Sequence, residues 1–189
     1  MRKLFLSLNL FFFAFSFYSQ LPSGPGGVGS SNELSIWLDA TKITANDGDF
    51  LSSWSDISGN GNDFSQSSAP LQPFYTLNSS INGGPAVSFN SDFFQSSSIS
   101  SLESNQLSWI LVSNTSNTNT QVLLRSDYSG GTTFNSAIMW GNFSTSAEFI
   151  SHSREANGTI VKLIDSYNLG SHIWSTRWNG TTLFESYID

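Results

Sequence analysis

No stretch of this chain repeats its apolar residues at helical spacing over three turns, and that constrains its fold more than any other feature. The apolar residues come in short runs with a period near two, broken by Gly, Asn, Asp and Ser. Leu34, Ile36 and Leu38 alternate with Ser35, Trp37 and Asp39, which predicts a half-buried strand with Trp37 on its outward face. Further strands are predicted over Pro85 to Phe89, Gln106 to Ser113, Gln121 to Arg125, Ala137 to Trp140, Glu148 to Ser151 and Thr159 to Asp165. Trp109-Ile110-Leu111-Val112 is apolar in both directions, the pattern of a central strand. Near the end, His172 to Trp178 and Thr181 to Asp189 flank Asn179-Gly180, a pair that tolerates the positive φ of a two-residue hairpin turn. Such a turn sets Trp178 opposite Thr181, Thr176 opposite Leu183, Trp174 opposite Glu185 and His172 opposite Tyr187. One face would then carry Trp174, Trp178, Leu183 and Tyr187. The fold class that follows is all-β.

Composition agrees and removes several functions. Only 11% of residues are charged, so solubility rests on Ser, Thr, Asn and Gly, while 16 Phe and 6 Trp supply a core that a disordered chain would lack. The net charge is −7, and it becomes −9 if a leader containing Arg2 and Lys3 is removed. Apart from Arg2-Lys3 the basic residues are scattered singly, which argues against nucleic acid and an anionic membrane surface as partners. With no cysteine, thiolate zinc sites, iron–sulfur clusters, disulfides and Cys nucleophiles are all excluded. Asn-x-Ser/Thr sequons at Asn78, Asn114, Asn142, Asn157 and Asn179 are what chance produces in a chain this rich in Asn and Ser.

The chain divides into three parts. Residues 1–19 have the layout of a signal peptide: a basic Met1-Arg2-Lys3, an apolar run from Leu4 to Tyr18, and a small Ser19 before polar Gln20. The run is shorter than the roughly 20 residues a membrane span needs. Expected are a secreted or cell-surface protein, bacterial in type, and no membrane insertion after leader removal. Residues 20–31 include LPSGPGGVGSS, a Gly/Pro/Ser linker. Its glycines are interrupted by Pro25 and follow no strand, so they form no phosphate loop. Residues 32–189 are expected to fold as one domain.

Residues 35–64 read SIWLDATKITANDGDFLSSWSDISGNGNDF, residues 83–89 read GGPAVSF, and WNGTTL followed by YID closes the chain at 178–189. In this order the motifs resemble the concanavalin A-like lectin/glucanase superfamily. They are similar above all to laminin-G-like modules of secreted Bacteroidetes-type proteins. The resemblance covers most of residues 33–189. It implies a two-sheet antiparallel jelly-roll sandwich that binds glycans or mediates adhesion within a larger surface protein. In that family more strands follow the Asn-Gly hairpin, so the sandwich is expected to lack its last strands and to show an apolar face and an open edge.

Three kinds of site bear on function: a calcium loop, a glycan surface and a catalytic centre. Asn46-Asp47-Gly48-Asp49 and the stretch from Asp56 to Asp63 offer the oxygens and tight turns that calcium uses, with Asp47 and Asp49 as its ligands. The same residue types also build turns without metal. For a glycan, Trp37, Asp56, Asn60, Asn62 and Asp63 combine an aromatic ring with amides and carboxylates. Trp140, Trp174, Trp178 and Tyr187 are further aromatic candidates, weighed against a role in the core. Catalysis has no matching pattern. Glycoside hydrolysis needs two carboxyls roughly 5–9.5 Å apart, and lectin-like glucanases arrange them as Glu-x-Asp-x-x-Glu. None of Glu33, Glu103, Glu148, Glu155 and Glu185 has such a partner, and neither His152 nor His172 has a nucleophile elbow. The expected function is a non-catalytic carbohydrate-binding or adhesion module. The alternatives are a passive structural spacer and a fragment of a secreted glycoside hydrolase.

Overall fold

The computed structural model describes residues 24–25, 33–97, 99, 107–116, 121–127, 134–142, 147–154, 160–166, 169–178 and 184–188; between 121 and 166 it describes backbone alone. Among these residues the chain is all-β, with two 3-10 turns at Ala40–Lys42 and Ala69–Leu71 and no α-helix. No helix among them is long and apolar enough to cross a membrane.

Two small antiparallel pairs come first. Strand β1 (Ser53–Trp54) pairs with β2 (Phe64–Ser65), and β3 (Phe74–Thr76) pairs with β4 (Ala86–Ser88). Single bridges extend them, Phe50 opposite Phe74 and Ser65 opposite Gln95. Edge-to-face contacts of Phe94 with Trp54 at 6.4 Å and with Phe89 at 6.1 Å link the two pairs. Strands this short carry no readable alternation, and β1, β2 and β3 went unforeseen.

Longer strands follow. After β5 (Leu107–Thr115), the chain runs through β6 (Gln121–Asp127), β7 (Phe134–Asn142), β8 (Ala147–Arg154) and β9 (Ile160–Ser166). These four pair consecutively into an antiparallel meander, as short connections favour. The chain then returns in β10 (Gly170–Trp178), which pairs with β5 on one side and with β11 (Phe184–Ile188) on the other. The second sheet has the order β11-β10-β5, and β11 comes up beside β9 without pairing to it.

The three-stranded sheet has two unlike faces. On one, Trp174 is wholly buried, with Thr115 and Thr176 buried and Trp109 and Leu111 half-buried. The Trp174 Nε1–H donates to Ser113 Oγ at 2.8 Å, which satisfies the one polar atom of the buried indole. On the other face, Ile110 is 79% exposed and Tyr187 59%, with Val112 and Ile173 about half exposed. Leu51, Pro73 and Tyr75, in and beside β3, are also buried, and the Leu51 amide donates to the Pro73 carbonyl at 2.8 Å.

Three expectations are corrected here. Leu34 to Leu38 forms no strand, and both sets of alternate residues, Trp37 included, are half-buried. The segment Trp109 to Val112 lies on β5, which among the described residues pairs with β10 alone and so stands at the edge of its sheet, and its even-numbered residues face water. The last hairpin is paired Trp178–Phe184, Thr176–Ser186 and Trp174–Ile188, with the connection spanning 179–183. Asn179-Gly180 itself lies outside the described residues. The two-residue register would have set Glu185 against buried Trp174, desolvating an unpaired charge. The observed register instead puts Glu185 opposite Arg177 and moves Tyr187 to the face away from Trp174.

Replacing Trp174 with Ala should cost about 3–5 kcal/mol of unfolding free energy, and Ser113→Ala about 1 kcal/mol. Ile110→Thr on the opposite face should change it by less than about 0.5 kcal/mol. Urea unfolding of the three variants measures this ordering; equal costs for Trp174 and Ile110 would reverse the assignment of faces.

Candidate functional site

The segment from Asp56 to Asp63 reads DISGNGND, and the structure folds it around one carboxylate. Asp56 is buried. Its Oδ1 accepts the Trp37 amide at 2.8 Å and the Ser58 amide at 2.9 Å. Its Oδ2 accepts the Ser58 hydroxyl at 2.7 Å and the Asn62 amide at 3.1 Å. Gly59 and Gly61, at φ 95° and 71°, let the chain double back closely enough for Asn62 to return to Asp56.

The neighbouring polar side chains extend this arrangement. Asp63 Oδ1 accepts the Asp56 amide at 2.8 Å. Asn60 Nδ2 donates to the Leu34 carbonyl and Asn62 Nδ2 to the Ser35 carbonyl, both at 2.7 Å. The Ile57 amide donates to the Trp37 carbonyl at 2.9 Å. These contacts explain the missing strand over Leu34 to Leu38: side chains of the 56–62 loop take the main-chain groups that a neighbouring strand would use.

The structure therefore brings Trp37, Asp56, Asn60, Asn62 and Asp63 together, but several of their polar atoms face one another. Asn60 and Asp63 are the exposed members. Burial alone would raise the Asp56 pKa above its ordinary 3.8. The Trp37 and Ser58 amides, the Ser58 hydroxyl and the Asn62 amide outweigh that effect and hold it below this value.

Asp47 and Asp49 sit apart, in a turn pinned to β3. Asp49 Oδ2 accepts the Asn46 amide at 2.8 Å and the Asn46 side-chain amide at 3.0 Å. Asp47 Oδ1 accepts the Leu77 amide at 2.8 Å, and the Gly48 amide donates to the Tyr75 carbonyl at 2.8 Å. Calcium takes six to eight oxygen ligands, and among the described residues no three acidic, His or Cys side chains gather to supply them.

Of the aromatic candidates, Trp174 is core and Tyr187 is exposed, while the side chains of Trp140 and Trp178 lie outside what is described. The His172 ring stands edge-on to Trp174 at 5.2 Å. Glu33 is exposed and Glu185 half-buried; Glu103 and Glu155 lie outside the described residues, as do the side chains of Glu148 and His152.

Sequence reasoning named Tyr187 but gathered no site on the outer face of the three-stranded sheet. Ile110 and Val112 on β5, Ile173 on β10 and Tyr187 on β11 share that face with Ser108, Asn114, Ser171 and Ser175. Asn114 Nδ2 donates to Ser171 Oγ at 2.9 Å across it. The available signal was the even-numbered half of β5, which alternates Ser, Ile, Val and Asn.

No family model, no curated protein and no solved structure matches this chain.

Asp56→Asn should cost about 2–4 kcal/mol near neutral pH, because an amide nitrogen would turn toward groups that are themselves donors. The sign of the pH dependence follows from the lowered pKa. The carboxylate's contribution is fully present above the unfolded value of about 3.9 and is lost as pH falls through the lower folded one. Thermal melts from neutral pH to below pH 3 should show the wild type losing its advantage over the variant at the acid end. A constant gap would mean that the carboxylate's charge is not what holds the loop. Millimolar calcium should leave the wild-type Tm unchanged, and a rise abolished by Asp47→Ala would place the ion on this turn.

Proposed function

We propose that this chain is an exported, non-catalytic binding module of the concanavalin A-like type, a two-sheet jelly-roll sandwich that holds a neutral glycan or a cell-surface partner. The outer face of the β11-β10-β5 sheet carries the reading. It exposes Ile110, Val112, Ile173 and Tyr187 among hydroxyl and amide side chains, with Arg177 and Glu185 as its charges. Sugars present C–H faces that pack on apolar and aromatic surface, and hydroxyls that pair with Ser and Asn. A contiguous apolar patch on a water-facing sheet marks an interaction surface. The exposed Asn60 and Asp63 are the loop residues left to add polar contacts. The basic start and the apolar run to Tyr18 support export, and the antiparallel all-β architecture supports the sandwich.

A second reading, a passive spacer or adhesin repeat, is favoured by one observation. The loop richest in ligand-type residues spends much of its hydrogen-bonding capacity on its own main chain.

Screening against a panel of neutral glycans and against intact cell surfaces separates the two. The double variant Ile110→Ser/Tyr187→Ser should bind at least about tenfold more weakly than wild type, a loss of about 1.4 kcal/mol, with its Tm unchanged. Absence of any binding would leave the spacer. Release of reducing sugar from a bound glycan would make the chain part of a hydrolase.

A further inference from the structure

Among the described residues, the edges of the two larger sheets differ in charge and in regularity. Strand β6 carries Arg125 and Asp127 and has two register shifts, β9 carries Lys162 and Asp165, and β11 carries Glu185. Charges and bulges on an edge are what keep it from pairing with another chain. Strand β5 has neither. Its nine residues, LSWILVSNT, contain no charge and no proline, and they pair with β10 without a single shift. Its other side has no strand partner among the described residues.

We propose that β5 pairs antiparallel with β5 of a second copy of this chain, joining two three-stranded sheets into one of six strands. The strand is self-complementary for this pairing. With the two-fold axis at Leu111, Ile110 stands opposite Val112 of the copy, Ser108 opposite Asn114, and Trp109 opposite Ser113. Each pair combines residues of the same face, so the water-facing sides of both copies stay in phase. Ile110, Val112 and Ile173 of one copy, with 79%, 49% and 48% of their surfaces exposed, then continue into the same three of the other. Cross-strand apolar pairs of this kind stabilise a sheet.

Charge points to the same place. A chain of net −7 repels its own copy. The β5 edge brings two copies together without setting like charges against each other, since the nearest charged residues on that face, Arg177 and Glu185, stand opposite one another on β10 and β11. A two-fold contact of one strand with itself is the isologous arrangement that closes as a dimer. It leaves the outer face open and doubles its length, so it extends the binding reading without depending on it.

Sedimentation equilibrium of the leader-free protein, with no ligand present, tests the pairing. The wild type should sediment at twice the chain mass. Ile110→Lys should weaken association at least tenfold while still unfolding in one cooperative transition, its Tm lowered by no more than the lost association accounts for, and Val112→Lys serves in its place if that variant fails to fold. Ile173→Lys, equally apolar and on the same face but on β10, should remain dimeric. A monomeric wild type, or a dimer indifferent to charge on β5, overturns the proposal. Dissociation by Ile173→Lys as well would indicate face-to-face stacking and also overturns it. Because the assay contains no glycan, its failure leaves the binding reading standing, and a dimer that binds nothing leaves the pairing standing.

Discussion

Four hydrogen bonds converge on the buried carboxylate of Asp56, and they tie the segment around Trp37 to the loop from Asp56 to Asn62. A charge removed from water is tolerable only where donors replace the lost hydration. Here the donors come from Trp37, Ser58 and Asn62, so the requirement draws together two segments that no sheet joins. Once they meet, Asn60 and Asn62 complete the main-chain hydrogen bonding of Leu34 and Ser35. An irregular segment can therefore lie half-buried without being a strand, since what burial demands is satisfied polar groups, whatever supplies the partners.

The three-stranded sheet makes the complementary use of its two faces. Its inner face concentrates the large buried aromatic, Trp174, with a hydrogen-bond partner for the indole on the adjacent strand. Its outer face keeps apolar residues where polar ones would serve solubility better. The outward-facing residues of β5 and β10 take no part in that buried core, and Ile110 and Ile173 are exposed there, which is the observation behind both the binding and the pairing proposals. The edge that has no strand partner among the described residues and the apolar face belong to the same strand, which is why the proposed binding and the proposed self-pairing involve neighbouring surfaces.

Much of the architecture was legible because the longer strands run to between five and nine residues, enough for a period of two to register; β5 through β11 fall within a few residues of where alternation places them. The failures have separate causes. Leu34 to Leu38 alternates as a strand should, but nothing local announces that a loop some twenty residues later will claim its backbone. Asn179-Gly180 is a strong turn signal, but the two-residue register it implies, with Glu185 against Trp174, is not the one in which the flanking strands pair. The apolar run Trp109 to Val112 cannot by itself reveal how many neighbours its strand has. In the DISGNGND stretch, Asp, Asn, Ser and Gly describe equally well a loop that grips a ligand and one that grips itself. Only the directions of its hydrogen bonds separate the two, and those directions are set by the fold.

The pairing of β5 with β10 has a further consequence in time. Every residue of the four-stranded meander lies between these two partners in the chain. The meander is built from local contacts, whereas β5 and β10 must close a long loop, and contacts of that kind form slowly. During synthesis, β5 therefore emerges well before β10 and has to wait, uncharged and without that partner, until the whole meander has followed it. Its order in the chain makes it the segment longest exposed to wrong partners, so the yield of folded protein depends on how quickly residues 121 to 178 arrive.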